Sequence, residues 1–168
     1  LSNTPRQIVI YEALQEPLPV FVHIPMVLGP DRQKLSKGHG AQALSEYRAE
    51  GYHPDGVVNY LSLLGWSSPS GEELLTREQL VKEISLDRVG NADVVFDPAK
   101  LRWLSAKHIE AMSLDALAAA VRPFIDARYQ LDDAQLTIVL SATRTHLGRF
   151  SDYNEAVEHS FPKSNPPP

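Results

Sequence analysis

Only one segment of the chain has the pattern of a buried β-strand, and this scarcity of strands constrains the fold most. The segment runs from Val20 to Leu28 within PLPVFVHIPMVLG. Pro25 interrupts it, so we expect the strand to end or kink there. One or two strands do not form a stable sheet by themselves. The first thirty residues are therefore predicted to be the end of a larger α/β domain whose other strands lie upstream.

The remainder of the chain has the start and stop signals of helices. A first helix is predicted over residues 3–14, with Pro5 in its first turn. The stretch Thr76-Arg77-Glu78-Gln79 is a capping box, which marks a helix start clearly. Further helices are predicted before Gly51, from Pro54 to Gly65, after Asp97-Pro98, after Ser113, and over residues 132–143 and 151–160.

Composition narrows the class of protein. The 168 residues suit one domain or two small ones, and the net charge of −5 argues against a general nucleic-acid binder, so any such contact needs a local basic patch. The chain has no cysteine, which excludes disulfides and thiolate metal sites and fits a cytoplasmic location. No apolar run is long enough for a membrane span, and residues 162–168 are predicted to be a disordered tail.

A basic loop, PDRQKLSKGHG, follows the candidate strand. Lys34 and Lys37 can converge if the loop curls, Ser36 adds a hydroxyl donor, and glycines let backbone amides approach an anion. The loop does not fit a Walker motif, because position 34 is lysine where that motif requires glycine. By itself the motif fits a solvated turn better than a phosphate site, and both interpretations stay open at this point.

Four stretches together resemble one family. KLSKG resembles the KMSKS motif of class I aminoacyl-tRNA synthetases, and its surroundings resemble glutamyl-tRNA synthetase. The matching stretches, in the family's order and spacing, are SNTPRQIVIYEAL, FVHIPMVLGPDRQKLSKGHGA, YRAEGYHPDGVVNYLSLLGW and VFDPAKLRWLSAKHI. The resemblance is close over about residues 2–125 and weaker over 126–161.

This resemblance implies a mainly α fold and a division of the chain into regions. Residues 1–40 would form the C-terminal edge of an α/β, Rossmann-like catalytic domain that carries the KMSKS-type loop. Residues 41–126 would form a helical region that contacts the tRNA stem, and residues 127–161 would begin a helical anticodon-binding region.

The resemblance also implies an activity and a site. The intact enzyme would activate glutamate with ATP, with Mg as the counter-ion of ATP, and transfer it to tRNA(Glu). Lys34, Ser36 and Lys37 would be the catalytic motif residues, and the lysines would contact the phosphates. Met26 and Val27 match the segment whose backbone holds adenine. Gly38 departs from the family's common arginine, which removes one positive charge from the loop.

Further residues are candidates for RNA contact. The cations of the stem-contact region are Arg48, Lys82, Arg88, Lys100, Arg102 and Lys107. Trp66 and Trp103 could stack on bases, but we expect both to pack in the core. The six histidines do not have the spacing of metal ligands, so no metal site is predicted.

Alternatives to a synthetase fragment remain. The family's other ATP motif, H-I-G-H, does not occur, so the chain alone is predicted not to activate glutamate. A non-catalytic tRNA-binding module from the same family is the second hypothesis. Glutaminyl-tRNA synthetase, which has β-barrels in its anticodon region, and the queuosine-modifying ligase, which ends soon after the loop, fit the long helical continuation less well. A monomer is expected.

Overall fold

A computed structural model of the protein describes residues 2–36, 42–129 and 131–160. The predicted mainly α fold class is confirmed. The α-helices are α1 (Thr4–Leu14), α2 (Leu44–Ala49), α3 (Pro54–Ser62), α4 (Arg77–Glu83), α5 (Pro98–Glu110), α6 (Leu114–Val121), α7 (Asp133–Thr143) and α8 (Tyr153–Ser160). Short 3-10 turns lie at Leu86–Arg88, Arg122–Phe124, Ala127–Tyr129, Arg144–His146 and Phe150–Asp152. The predicted tail at 162–168 lies outside the described residues.

The sheet of the described chain consists of two short parallel strands, β1 (Val27–Leu28) and β2 (Val94–Val95). The predicted strand from Val20 to Leu28 is therefore wrong in its extent, because residues 20–26 form no strand and Val20 is 93% exposed. A strand needs a neighbour that pairs with it. β2 supplies a partner for only two residues, and β1 begins after Pro25 rather than ending there.

Local capping signals set the helix starts as the sequence predicts. The capping box of α4 is complete, since the Gln79 N–H donates to Thr76 Oγ1 (3.2 Å) and the Thr76 N–H donates to Gln79 Oε1 (2.8 Å). Asp97 Oδ1 accepts from the first amides of α5, and Ser113 Oγ accepts from α6. Gly51 ends the segment that contains α2 with a φ of +83°. These starts depend on residues within a single turn.

Helix α5 carries residues of two separate hydrophobic cores. Leu101 and Leu104 pack with α2 and α3 around the buried ring of Tyr60. Ile109, one turn further along, belongs to a second core built mainly from α6, α7 and α8. Helices α3 and α5 approach each other closely at Gly56, where an added Cβ would lie 2.7 Å from Ser105 Cα. Among the described helices none is long and apolar enough to cross a membrane.

Candidate active site and RNA-contact surface

A tight hairpin joins β1 to the basic loop. The Gly29 C=O accepts a hydrogen bond from the Arg32 N–H (2.9 Å), and the Gly29 N–H donates to the Gln33 C=O (2.8 Å). Arg32 has a φ of +61°, which is the left-handed conformation that follows a type I turn in three-residue hairpin loops. Asp31 Oδ1 accepts from the Gln33 N–H at 3.0 Å and supports this turn. The chain therefore reverses within three residues.

The hairpin brings Lys34 beside the end of β1. Lys34 forms an antiparallel bridge with Leu28, and the Leu35 N–H donates to the Val27 C=O at 3.0 Å. The Lys34 side chain is exposed, and its ammonium has no hydrogen bond or ion pair with any described residue. Ser36 follows and is also exposed. Lys37 and the Gly38 departure lie outside the described residues.

The backbone proposed to hold adenine is already partly hydrogen-bonded. The Met26 N–H donates to Asp93 Oδ1 (3.2 Å), and the Met26 C=O accepts from the Val94 N–H (3.0 Å). The Val27 C=O accepts from Leu35. A carbonyl oxygen has two lone pairs, so both carbonyls can still accept from an amino group. The Met26 side chain is 47% exposed.

Most of the predicted RNA-contact cations already have protein partners. Lys100 pairs with Glu73 (2.5 Å), Arg102 with Asp152 (2.7 Å) and Lys107 with Glu110 (2.8 Å). The Arg88 guanidinium donates to the Ser67 C=O. Of the six, Arg48 and Lys82 are the ones whose side chains have no hydrogen bond or ion pair with the described residues. The structure thus shows which of these cations have protein partners, which the composition does not indicate.

The two tryptophans differ in environment. Trp66 is buried with Leu75 and Leu80, as expected. Trp103 is 42% exposed, so the expectation of core packing is wrong for this residue. The reason is helix geometry: Leu101 and Leu104 define the buried stripe of α5, and a residue two positions after Leu101 points about 200° around the axis. The spacing of Leu101, Trp103 and Leu104 in the sequence would have been enough to predict that Trp103 is exposed.

Two histidines stack where α3, α5 and the C-terminal core meet. The rings of His53 and His108 lie 5.4 Å apart with 26° between their planes, and Phe150 contacts His53. His53 Nδ1 accepts from the Asp55 N–H and caps α3. Burial lowers the pKa of both histidines, and His108 lowers the pKa of His53 further, while Asp55 partly opposes the decrease. Burial of the two rings therefore favours their neutral form.

Within the described ranges, no cluster of three or more histidine, aspartate or glutamate side chains could hold a metal ion. At the hairpin the structure describes the exposed ammonium group of Lys34 together with backbone donors and acceptors. Such groups stabilise negative charge without changing their own covalent state.

Comparison with known proteins gives the family. The sequence model of the family described as tRNA synthetases class I (E and Q), catalytic domain, matches residues 1–103. The chain is 48% identical over 165 residues to glutamate–tRNA ligase 1 of Caldanaerobacter subterraneus, and 40% identical over 163 residues to glutamate–tRNA ligase 1 of Fervidobacterium nodosum. These alignments cover 96% and 97% of this chain and 34% of each relative.

A solved structure has the same fold. The glutamate–tRNA synthetase of Elizabethkingia anophelis matches 92% of this chain and 35% of its own length, with a TM-score of 0.79 at 22% sequence identity. This match indicates the fold, in which the small sheet and the helices form part of a larger protein. The chain spans about a third of the length of the curated relatives that it matches. The chain belongs to the family of class I tRNA synthetases (E and Q), whose catalytic-domain model it matches over more than half of its length.

Proposed function

We propose that this chain is the part of a glutamate–tRNA ligase that supplies the KMSKS-type loop and the tRNA stem contacts. In the intact enzyme the glutamate carboxylate attacks the α-phosphorus of ATP and pyrophosphate leaves. A terminal ribose hydroxyl of tRNA(Glu) then attacks the carbonyl of the glutamyl adenylate, and AMP leaves. The proposal includes the regions given above, 1–40, 41–126 and 127–161, and a cytoplasmic monomer. Without the rest of the enzyme, the chain is expected to be inactive.

The observation that carries this proposal is the hairpin that brings Lys34 back to the end of β1, with an ammonium group that pairs with none of the described residues. Ligands of open α/β sheets bind beyond the carboxyl ends of the strands, and Lys34 lies beside that end of β1. A mobile ammonium there can follow the triphosphate as charge moves from the α-phosphorus to the leaving pyrophosphate. Lys37 would be the main pyrophosphate contact and Lys34 its helper, with Ser36 as an additional donor.

ATP would be held on the other side of the same hairpin. The carbonyl oxygens of Met26 and Val27 can accept from the adenine amino group. Each oxygen has two lone pairs and uses one of them in the hydrogen bond described above. Mg would accompany ATP as its counter-ion. The Met26 N–H already donates a hydrogen bond to Asp93. We therefore expect these carbonyl acceptors, rather than that N–H, to recognise adenine here.

The test is a chimera in which residues 1–168 replace the matching third of the Caldanaerobacter subterraneus relative. We expect glutamate-dependent ATP–pyrophosphate exchange, measured with tRNA(Glu) present. Lys37→Ala should lower its rate about thirty- to a thousandfold, since a positioned charge contributes roughly 2–4 kcal/mol in a transition state, with little change in the KM for glutamate. Lys34→Ala should lower the rate less.

The matched control is Arg128→Ala, which removes an exposed cation far along the chain, where Arg128 pairs with Asp126 (3.0 Å). It should leave exchange unchanged. Unchanged kinetics in Lys37→Ala would contradict the role of the loop. A chimera that binds tRNA(Glu) but never exchanges pyrophosphate would favour the non-catalytic tRNA-binding module. Exchange by the isolated chain would contradict its expected inactivity.

A further inference from the structure

An open groove on the outer side of α5 contains the exposed Trp103. The groove encloses about 330 Å³ between α5 and the turn that follows α7. Ala99 and Ala106 flank Trp103 along the helix, and Thr145 and His146 form the facing wall. The indole between these two small residues is 42% exposed. Both Thr145 and His146 are exposed.

Arg102 is fixed at one end of this groove. Its Nη2 donates to Asp152 Oδ2 at 2.7 Å, and Asp152 is 6% exposed. The guanidinium lies against the backbone of Gly148, where an added Cβ would be 2.7 Å from Arg102 Nε. The Arg102 side chain nevertheless remains 43% exposed. The contacts with Asp152 and Gly148 therefore fix the position of the Arg102 guanidinium while part of it stays exposed to the groove.

The polar surface continues beyond Arg102. A second cavity of about 450 Å³ shares Arg102 and His146 with the groove and extends to Glu155 and His159 on α8. The charge of Asp152 is already satisfied there, since it also accepts from the backbone N–H groups of Gly148 and Arg149. The two cavities thus share two side chains that can donate hydrogen bonds, Arg102 and His146.

We propose that this groove binds an unpaired nucleotide of the tRNA, with its base stacked on Trp103 and its ribose or phosphate contacted by Arg102 and Thr145. This inference rests on the proposed function, which supplies the RNA. Proteins recognise unpaired nucleotides by stacking the base on an aromatic ring, with cations and hydroxyls contacting the backbone. A wide exposed apolar patch would indicate a protein partner. Trp103 is instead flanked by alanines and by the polar side chains of Thr145 and His146, which favours a nucleotide.

The experiment uses the whole chain with Trp66→Phe, so that Trp103 is the remaining tryptophan. Trp66 Nε1 is buried and has no hydrogen-bond partner among the described residues, so phenylalanine loses none of the described hydrogen bonds there. Titration with unmodified tRNA(Glu) transcript should quench Trp103 fluorescence. In a gel-shift assay, Trp103→Ala should weaken tRNA binding about tenfold and Trp103→Phe only about two- to threefold, because stacking on one base is worth that order of affinity.

The matched control is Ile138→Ala on α7, which also removes an exposed apolar side chain, 67% exposed. It should bind tRNA as the parent does. Tight binding that Trp103→Ala and Trp103→Phe leave unchanged would overturn this inference and leave the proposed function intact. No binding by the parent chain would overturn both. If Trp103→Ala instead abolished self-association in sedimentation, with RNA binding unchanged, the groove would be a protein interface and the inference would be wrong.

Discussion

At the scale of single residues, the side chain of Asn59 forms hydrogen bonds to several segments around the first core. Its side chain is fully buried on α3. The amide donates to the Glu73 C=O (2.9 Å), and its oxygen accepts from the Leu75 N–H (3.0 Å) and lies 3.2 Å from His108 Nε2. One side chain thus joins α3, the segment before α4, and α5.

Replacement of Asn59 by alanine should lower the free energy of unfolding by about 2–4 kcal/mol. The buried Leu75 N–H and the part-buried Glu73 C=O would lose their partner. Leaving a buried group without its partner costs roughly 1–3 kcal/mol. Urea unfolding followed by circular dichroism measures the change. Asn91→Ala, at an exposed position, is the control and should change stability by less than about 0.5 kcal/mol. Equal effects of the two substitutions would contradict the role given to Asn59.

The stacked histidines predict a pH dependence of stability. The pKa of His53 and of His108 is lower in the folded chain than in the unfolded chain, chiefly because of burial. The unfolded state then binds more protons below about pH 6.5, so stability rises with pH across that window. The full contribution is present above about pH 6.5 and is lost as the pH falls through the folded pKa values.

The measurement is the urea midpoint at pH 7.5 and at pH 5.5 for the parent and for the double variant His53→Asn with His108→Gln. Asparagine can still cap α3, and glutamine can still donate to Asn59. We expect the variant to lose less stability between the two pH values than the parent does. The same loss in both proteins would mean that other groups cause the acid sensitivity.

At the scale of elements, the close approach of α3 and α5 depends on Gly56. An added Cβ would lie 2.7 Å from Ser105 Cα and 3.0 Å from Ser105 N, and both are backbone atoms that cannot rotate away. The hydrogen bond from the His53 N–H to Ser105 Oγ (3.0 Å) fixes the same contact. Alanine is otherwise the better helix former, so packing rather than propensity decides here.

Gly56→Ala should therefore destabilise the chain by about 1–3 kcal/mol, the usual cost of overpacking. Gly90→Ala is the control, because its nearest atom, Gly65 O, is at an ordinary 3.6 Å. Thermal unfolding of both variants measures the difference. A stabilised Gly56→Ala protein would show that the helices separate easily and that the approach is not required.

Elements differ in how far their sequence determines them. Helix starts at Thr76, Asp97 and Ser113 follow from side chains within one turn, and the structure has each as predicted. The strand could not be delimited in this way, because its length depends on the partner that pairs with it. The positive φ of Arg32 was equally hidden, since a turn normally signals such a position with glycine.

The features of the candidate site also differ in whether they depend on residues nearby or far away in the sequence. The burial of Trp66 could be predicted, because its apolar neighbourhood is local. The roles of the residues in the basic loop stay predictions. The bonding of Met26 to Asp93 spans 67 positions, and the pairing of Arg102 with Asp152 spans 50. The sequence does not indicate which side chains pair with each other when they lie so far apart along the chain. The exposure of Trp103 was predictable from the stripe of α5, but its groove required the turn after α7.

At the scale of the whole molecule, α5 and Asp152 join the two cores. Helix α5 contributes Leu104 to the first core and Ile109 to the second. Asp152, from the segment before α8, accepts from Arg102 on α5. A second link lies nearby, where the Phe150 N–H donates to the Gly51 C=O at 2.7 Å. A rigid helix shared by two cores predicts that residues 42–129 and 131–160 unfold together.

Removal of the Asp152 carboxylate tests this coupling. Asp152→Ala would leave the N–H groups of Gly148 and Arg149 without their acceptor, which should lower the unfolding free energy by about 1–3 kcal/mol. Because α5 still joins the cores, fluorescence and circular dichroism should follow one shared transition at a lower urea midpoint. Asp126→Ala removes a similar but exposed partner of an arginine and should leave the midpoint unchanged. Two separate transitions in Asp152→Ala would mean that Asp152, rather than α5, holds the cores together.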